Sequence, residues 1–200
     1  MQLYYSEFSP YSRKVRMVLV ELGMQDAVSL QPIAVRQADP GFAAVNPLFR
    51  IPALVVREGF TLFDSPVIAE YLIASKPGQN ILPASGEPRF IALRLQAVAD
   101  GIIDALIPRR NESLRPVERQ SPEDMVLWKR SSDAGLDWLE GQVASLDGVH
   151  IGAIAVAATL GYLDIRFPHE DWRAAHPKLA AWFAVFSQRP SFKSTAPASN

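Results

Sequence analysis

Two hundred residues, 48 % apolar and 20 % charged, suffice for one ordinary domain or two small ones around a real core. The formal net charge of −1 gives no electrostatic ground for binding nucleic acid or an anionic membrane surface. Cysteine is absent, which excludes disulfides and any redox mechanism using the protein's own thiol, and makes the cytoplasm the expected compartment.

The opening residues Met1 to Glu7 lack a basic region followed by a long apolar one, so no signal peptide is read there. Leu3-Tyr4-Tyr5 is a short strand candidate. Pro10 suits the first position of a helix, and Val15, Val18, Leu19 and Leu22 then mark one apolar face ending near Gly23. Val28 to Val35 reads as a second strand, with Pro32 making it an edge or an irregular one. A short irregular helix is expected over Pro40 to Asn46. Ala53 to Val56, Glu58-Gly59 and Phe60 to Phe63 form a hairpin pattern, and Asp64-Ser65-Pro66 starts a helix running to about Ser75.

This β-α-β-α-β-β-α order is thioredoxin-like and occupies residues 1–76. Residues 77–88, rich in proline and glycine, read as a linker, and 89–200 as an all-α domain in which no strand signal is found. Leu95, Val98, Ile102 and Leu106 mark a long helix expected to break at Pro108. Leu136, Leu139, Val143 and Leu146 mark a second, beginning near Ser121. Ile151 to Arg166, nearly all apolar but too short to span a bilayer, is a central third helix, and Pro177 to Gln188 a fourth. Ser191 to Asn200 reads as a loosely held tail.

Ser9-Pro10-Tyr11-Ser12 lies where a thiol-disulfide enzyme carries Cys-x-x-Cys, with serine at both cysteine positions. Such a site can offer a hydroxyl and a helix N-terminus to a thiolate supplied by another molecule, and glutathione is the obvious thiol cofactor. A free thiol is only about 3 % ionised at pH 7, and a drop of roughly two pKa units corresponds to about 2.7 kcal/mol of preference for the thiolate. Serine is equally a preferred helix N-cap, a role compatible with donating to sulfur.

Four segments together resemble the glutathione S-transferases. They are Ser9 to Arg13, Asn46 to Leu54, Asp64 to Leu72 and Ala157 to Arg166. The resemblance implies the two-domain fold of that family, an α/β thioredoxin-like domain followed by an all-α helical bundle, and pairing as a homodimer. It implies a transferase that binds glutathione as co-substrate and conjugates it to a small electrophile. Ser9 would stabilise the thiolate, with Ser12 as rival and Tyr5 or Tyr11 as other hydroxyls within the same segment. The resemblance implies a cis peptide at Ile51-Pro52 contacting the cysteinyl part of glutathione. It also implies Arg50 at the glycine-end carboxylate, and Asp64 and Ser65 at the γ-glutamyl ammonium and carboxylate. Tyr11, Ala99, Ile103 and Arg110 would line the substrate side, and Asp100 or Asp104 would reach the glutathione of a partner subunit or face solvent. The alternative is a non-catalytic module that binds glutathione or a protein.

Two departures stand out. Phe49-Arg50 replaces the family's small residue and lysine, and is expected to narrow the entrance. His150-Ile151-Gly152-Ala153 replaces a Ser/Thr-x-x-Asp capping box, a loss expected to weaken the start of the central helix by about 1 kcal/mol. Arg109-Arg110 and Arg115 could neutralise an acidic substrate or simply be solvated. His150, His169 and His176 lack ligand spacing, so no metal is expected. The four tryptophans are expected in the core.

Overall fold

A computed structural model describes residues 1–35 and 38–198. The chain divides into two compact units, one formed by Met1–Leu82 with the chain from Gln188 onward, the other by Pro83–Ser187.

The first unit is a four-stranded sheet with helices. Its strands are β1 (Gln2–Tyr5), β2 (Ser29–Pro32), β3 (Ala53–Arg57) and β4 (Phe60–Leu62), in the order β2-β1-β3-β4. β1 pairs parallel with β2 and antiparallel with β3, which closes a hairpin with β4 through Glu58 and Gly59. Gly59 has φ +68, a conformation that glycine adopts without steric cost. The expected edge strand over 28–35 is shorter, Ser29–Pro32, and its last bond to β1 is Ile33 N–H donating to Tyr5 O at 2.9 Å.

Helix α1 (Pro10–Glu21) follows β1. Val15, Val18, Leu19 and Leu22 are all buried, as their spacing predicts. Gly23, at φ +61, ends it: Met24 N–H donates to Leu19 O and Gly23 N–H to Val20 O, the paired bonds of a Schellman stop. Helix α2 (Ser65–Ser75) packs against α1. Residues 40–44 form a short 3-10 helix.

Residues 191–198 are not a loose tail; the last two of the expected tail lie outside the described residues. Helix α8 (Pro190–Ser194) packs on α1, with Ser191 and Thr195 buried. Arg13 lies 3.9 Å over the Phe192 ring and donates to Phe192 O at 3.0 Å. Glu21 accepts from Arg189 Nε and Nη2, each at 2.9 Å, and from Ser191 Oγ. Residues assigned from sequence to the helical domain thus join the first unit, through charges whose partners lie about 170 positions away.

The second unit is helical: α3 (Gly86–Ser113), α4 (Pro122–Glu140), α5 (Ile151–Arg166), α6 (Trp172–Ala175) and α7 (Pro177–Phe186). Every residue of α5 from Ile151 to Leu163 is buried, which makes it the centre of this unit. Thr159 Oγ1 donates to Ala99 O of α3 at 3.1 Å. Gly152 permits the close approach, since a Cβ there would lie 2.6 Å from Ala92 O.

Three sequence expectations are corrected here. α3 continues through Pro108, because Ala105, Leu106 and Arg109 around it are buried and their packing outweighs the roughly 3 kcal/mol that proline costs a helix interior. α4 ends at Glu140, so Val143 and Leu146 belong to a separate 3-10 turn after Gly141. Of the four tryptophans only Trp172 is buried; Trp128, Trp138 and Trp182 are half-exposed.

The missing capping box is also corrected. His150 is itself the N-cap of α5: its Nδ1 accepts from Ala153 N–H at 3.3 Å, while Nε2–H donates to Ser145 O at 3.0 Å. An imidazole with its proton on Nε2 supplies the acceptor that a serine hydroxyl would have supplied.

Candidate functional site

The sheet register brings three of the predicted segments to one end of the first unit. Tyr4 of β1 pairs with Ala53 of β3, so the turn leading to Ser9 leaves the sheet where the chain enters from Ile51-Pro52. Leu62 of β4 pairs with Leu54, so Phe63-Asp64-Ser65 leaves the sheet at the same end. Two helix N-termini, of α1 and α2, therefore start beside the Ile51-Pro52 segment, and their free N–H groups make this end receptive to anions.

Ser9 is the N-cap of α1. Its Oγ accepts from Ser12 N–H at 3.2 Å, which leaves its own proton free to donate. It is half-exposed, whereas Ser12 is fully buried with a hydroxyl that finds no partner. Tyr5 is buried beneath the Arg16 guanidinium, 4.9 Å from its ring centroid. Tyr11 is half-buried on the first turn of α1.

The Ile51-Pro52 peptide is cis, as the resemblance implies. Asn46, which is 1 % exposed, holds the approach to it: its Oδ1 accepts from Leu48 N–H at 3.0 Å and its Nδ2 donates to Arg50 O at 2.9 Å. Phe49 sits at φ +49 between those two bonds, its N–H donating to Asn46 O. Its ring leans on Phe42, centroids 6.2 Å apart, and Phe42 in turn meets Tyr4 edge-on at 5.5 Å. Arg50 is exposed, Ile51 half-exposed and Pro52 buried. Sequence reasoning named Asn46 only as part of the lead-in; the signal for its role was a side chain able to donate and accept at once, next to a proline.

Asp64 is the N-cap residue of α2 and exposed, yet its carboxylate makes no capping bond to its own helix. The N–H groups of the first turn remain open to an external acceptor. Ser65 is buried at the first position of that helix. The peptide joining Phe63 to Asp64 is also cis.

In the second unit Arg110 is half-exposed on α3, while Ala99 and Ile103 are at most 1 % exposed. Placing Ile103 on the substrate side is therefore corrected: it is a core side chain with no surface to offer. Asp100 is half-exposed and Asp104 exposed on the same helix. Tyr162 of α5, unremarked in the sequence reading, is buried, and burial pushes its phenol up against the opposing influence of Arg110 and Arg166. No cluster of three or more potential metal ligands occurs among the described residues, and no helix among them is long and apolar enough to cross a membrane.

Comparison with known proteins fits this geometry. The family model for the glutathione S-transferase N-terminal domain matches residues 8–75 and that for the C-terminal domain residues 97–184. The chain belongs to the glutathione S-transferase superfamily, with the two-domain fold of that family. It is 33 % identical to the uncharacterized GST-like protein YibF of Escherichia coli K12, over 98 % of each chain. Glutathione S-transferase 3 of Zea mays is 28 % identical over 99 % of this chain and 94 % of its own. A glutathione transferase family member from Pseudomonas fluorescens Pf-5, solved with bound glutathione, superposes with a TM-score of 0.94 at 39 % identity, covering 99 % of both chains. A second structure from that organism, at 40 % identity, TM-score 0.90 and full coverage of both chains, holds S-(propanoic acid)-glutathione.

Proposed function

We propose that the protein is a glutathione transferase that binds glutathione at the shared end of β1, β3 and β4, ionises its thiol beside Ser9, and joins the sulfur to a small electrophile. The observation that carries the reading is the convergence of the Ser9 N-cap, the cis Ile51-Pro52 peptide and the open N-terminus of α2 on one end of the sheet. Ser9 is preferred over Ser12 because it is half-exposed with a donatable proton, while Ser12 is enclosed.

Each group has a chemical task. The Ser9 hydroxyl and the α1 N-terminus lower the thiol pKa by favouring the charged sulfur. The backbone at Ile51 pairs with the cysteinyl amide of glutathione, Asp64 takes the γ-glutamyl ammonium, and Ser65 with the α2 N-terminus takes the adjacent carboxylate. Arg50 serves the carboxylate at the glycine end. The thiol proton passes to solvent; sulfur then forms a bond to carbon as a leaving group departs with its electron pair, or as a π bond opens and the neighbouring carbon takes a proton from water. The conjugate held by the Pseudomonas fluorescens relative is a thioether of this kind.

Two copies assemble in this reading. Phe90, Val126 and Leu127, exposed on α3 and α4 by 69, 69 and 49 %, supply an apolar surface for the contact. A cytoplasmic location belongs to the same proposal.

Calorimetric titration of glutathione into wild type, Asp64→Ala and Ser9→Ala tests it. Binding lost in Asp64→Ala and kept in Ser9→Ala is expected, with the ultraviolet signal of bound thiolate diminished in the latter. Binding without turnover of any electrophile would favour the non-catalytic module; absence of binding by wild type would overturn the assignment.

A further inference from the structure

An aspartate carboxyl reaches the next backbone nitrogen most easily when glycine follows, because glycine has no Cβ to obstruct the approach. The chain contains two such steps, Asp100-Gly101 and Asp147-Gly148. Folding treats them differently. Gly101 lies in the middle of α3, where its amide belongs to the helical ladder and is held in that geometry. Asp147-Gly148 lies in the turn between the 3-10 segment Val143–Leu146 and the start of α5.

The groups needed for ring closure are free in that turn. Asp147 and Gly148 are both exposed. The Asp147 carboxylate makes no hydrogen bond or ion pair with any described residue, and the Gly148 N–H donates to none of them. Gly148 has φ +78, and no atom lies within 4 Å of where its Cβ would stand, so the amide is surrounded by open space. The same turn carries the cap of α5. His150 Nε2–H donates to Ser145 O at 3.0 Å, and this bond orients the ring whose Nδ1 accepts from Ala153 N–H. Asp147 sits between the two ends of that closure.

We propose that Asp147-Gly148 is a site of spontaneous isoaspartate formation, and that the modification releases the His150 cap of α5. The Gly148 nitrogen attacks Cγ of the protonated Asp147 carboxyl; its N–H proton and the carboxyl hydroxyl leave together as one water, giving a succinimide ring. A second water opens the ring at the main-chain carbonyl of Asp147, so that the chain continues through Cβ and Cγ and the old carbonyl becomes a free carboxylate. The reaction needs only water, and the product has the mass of the starting chain. One methylene is thereby added to the main chain inside the loop that Ser145 O and His150 close, and the ring no longer meets both of its partners.

The full chain aged in warm neutral buffer provides the test, with isoaspartate located by electron-transfer fragmentation and by enzymatic methylation of isoaspartyl carboxyls. Isoaspartate is expected at residue 147 at least about tenfold faster than at residue 100, because α3 must open locally before Gly101 can react. Asp147→Glu, whose longer side chain disfavours the ring, should abolish it. Asp147→Asn should accelerate it, with ammonia lost in place of water and a corresponding change of mass. The separated isoaspartyl form should melt about 2–4 °C below fresh protein. His150→Ala, already without the cap, should show no comparable further shift on ageing, and Asp147→Glu should show none. Absence of isoaspartate at residue 147, or equal amounts at residue 100, overturns the site. Isoaspartate at residue 147 with an unchanged melt, or with the same shift in His150→Ala, overturns its coupling to the cap.

Discussion

His150 occupies a cap position where serine, threonine, aspartate or asparagine is usual, and it works there only as the neutral ring. Protonating Nδ1 would remove the acceptor of the Ala153 N–H. Burial, opposed by the bond to Ser145 and the charge of Asp147, holds its pKa below the ordinary histidine value of 6.5. The native state therefore binds fewer protons than the unfolded chain, and the stabilisation is present above pH 6.5 and lost as pH falls below it. Thermal melts should show His150→Ala losing about 1 kcal/mol near neutrality. His150→Asn should retain the cap and flatten the acid side of the profile between pH 6.5 and the folded value. In the proposed transferase, Ser9 is the corresponding residue for chemistry. Ser9→Ala should raise the pKa seen in the pH-rate profile by about two units and slow conjugation about tenfold to a hundredfold at neutral pH, with glutathione affinity nearly unchanged.

At the scale of elements, the approach to Ile51-Pro52 depends on Asn46, whose one side chain closes two bonds across the Leu48–Arg50 turn. Asn46→Ala removes the two part-buried bonds to Leu48 N–H and Arg50 O, at a cost of about 1 kcal/mol or somewhat more. It should also weaken glutathione binding, visible by calorimetry, because the Ile51 backbone is no longer held. Asn46→Asp, which keeps the acceptor and loses the donor, should fall between. The α3–α5 contact has a different sensitivity. Gly152→Ala sets a methyl against Ala92 O and Leu95 Cβ, at 2.6 and 2.7 Å, and a denaturant melt should show a loss of about 1–3 kcal/mol.

For the molecule as a whole, the chain's return from Gln188 makes the thioredoxin-like unit discontinuous in sequence. The helix that carries Ser9 is fastened at its far end by a segment that arrives last. Deleting residues 188–200 removes the bidentate Arg189–Glu21 pair and the seat of Arg13, and should lower stability by about 2–4 kcal/mol. Burial alone would raise the Glu21 carboxyl, but the bonds from Arg189 and Ser191 prevail and hold it below 4.5. That contribution is present above pH 4.5 and is lost as pH falls through the folded value. Arg189→Ala should therefore melt at a lower temperature than wild type at pH 6, with the difference shrinking in acid.

Local patterns in the sequence were sufficient for α1, the β3–β4 hairpin, the start of α2 and the buried character of α5, because each rests on spacing within about ten residues. They also marked Ser9, Ile51-Pro52 and Asp64-Ser65, since caps and prolines act on their immediate neighbours. The continuation of α3 through Pro108, the packing of α8 on α1 and the acceptor role of His150 were decided by the tertiary structure. In each, a local preference yielded to burial or to a hydrogen bond formed with the folded chain around it. Short-range preference is written along the chain, whereas the pairing of distant charges depends on which surfaces folding leaves in contact.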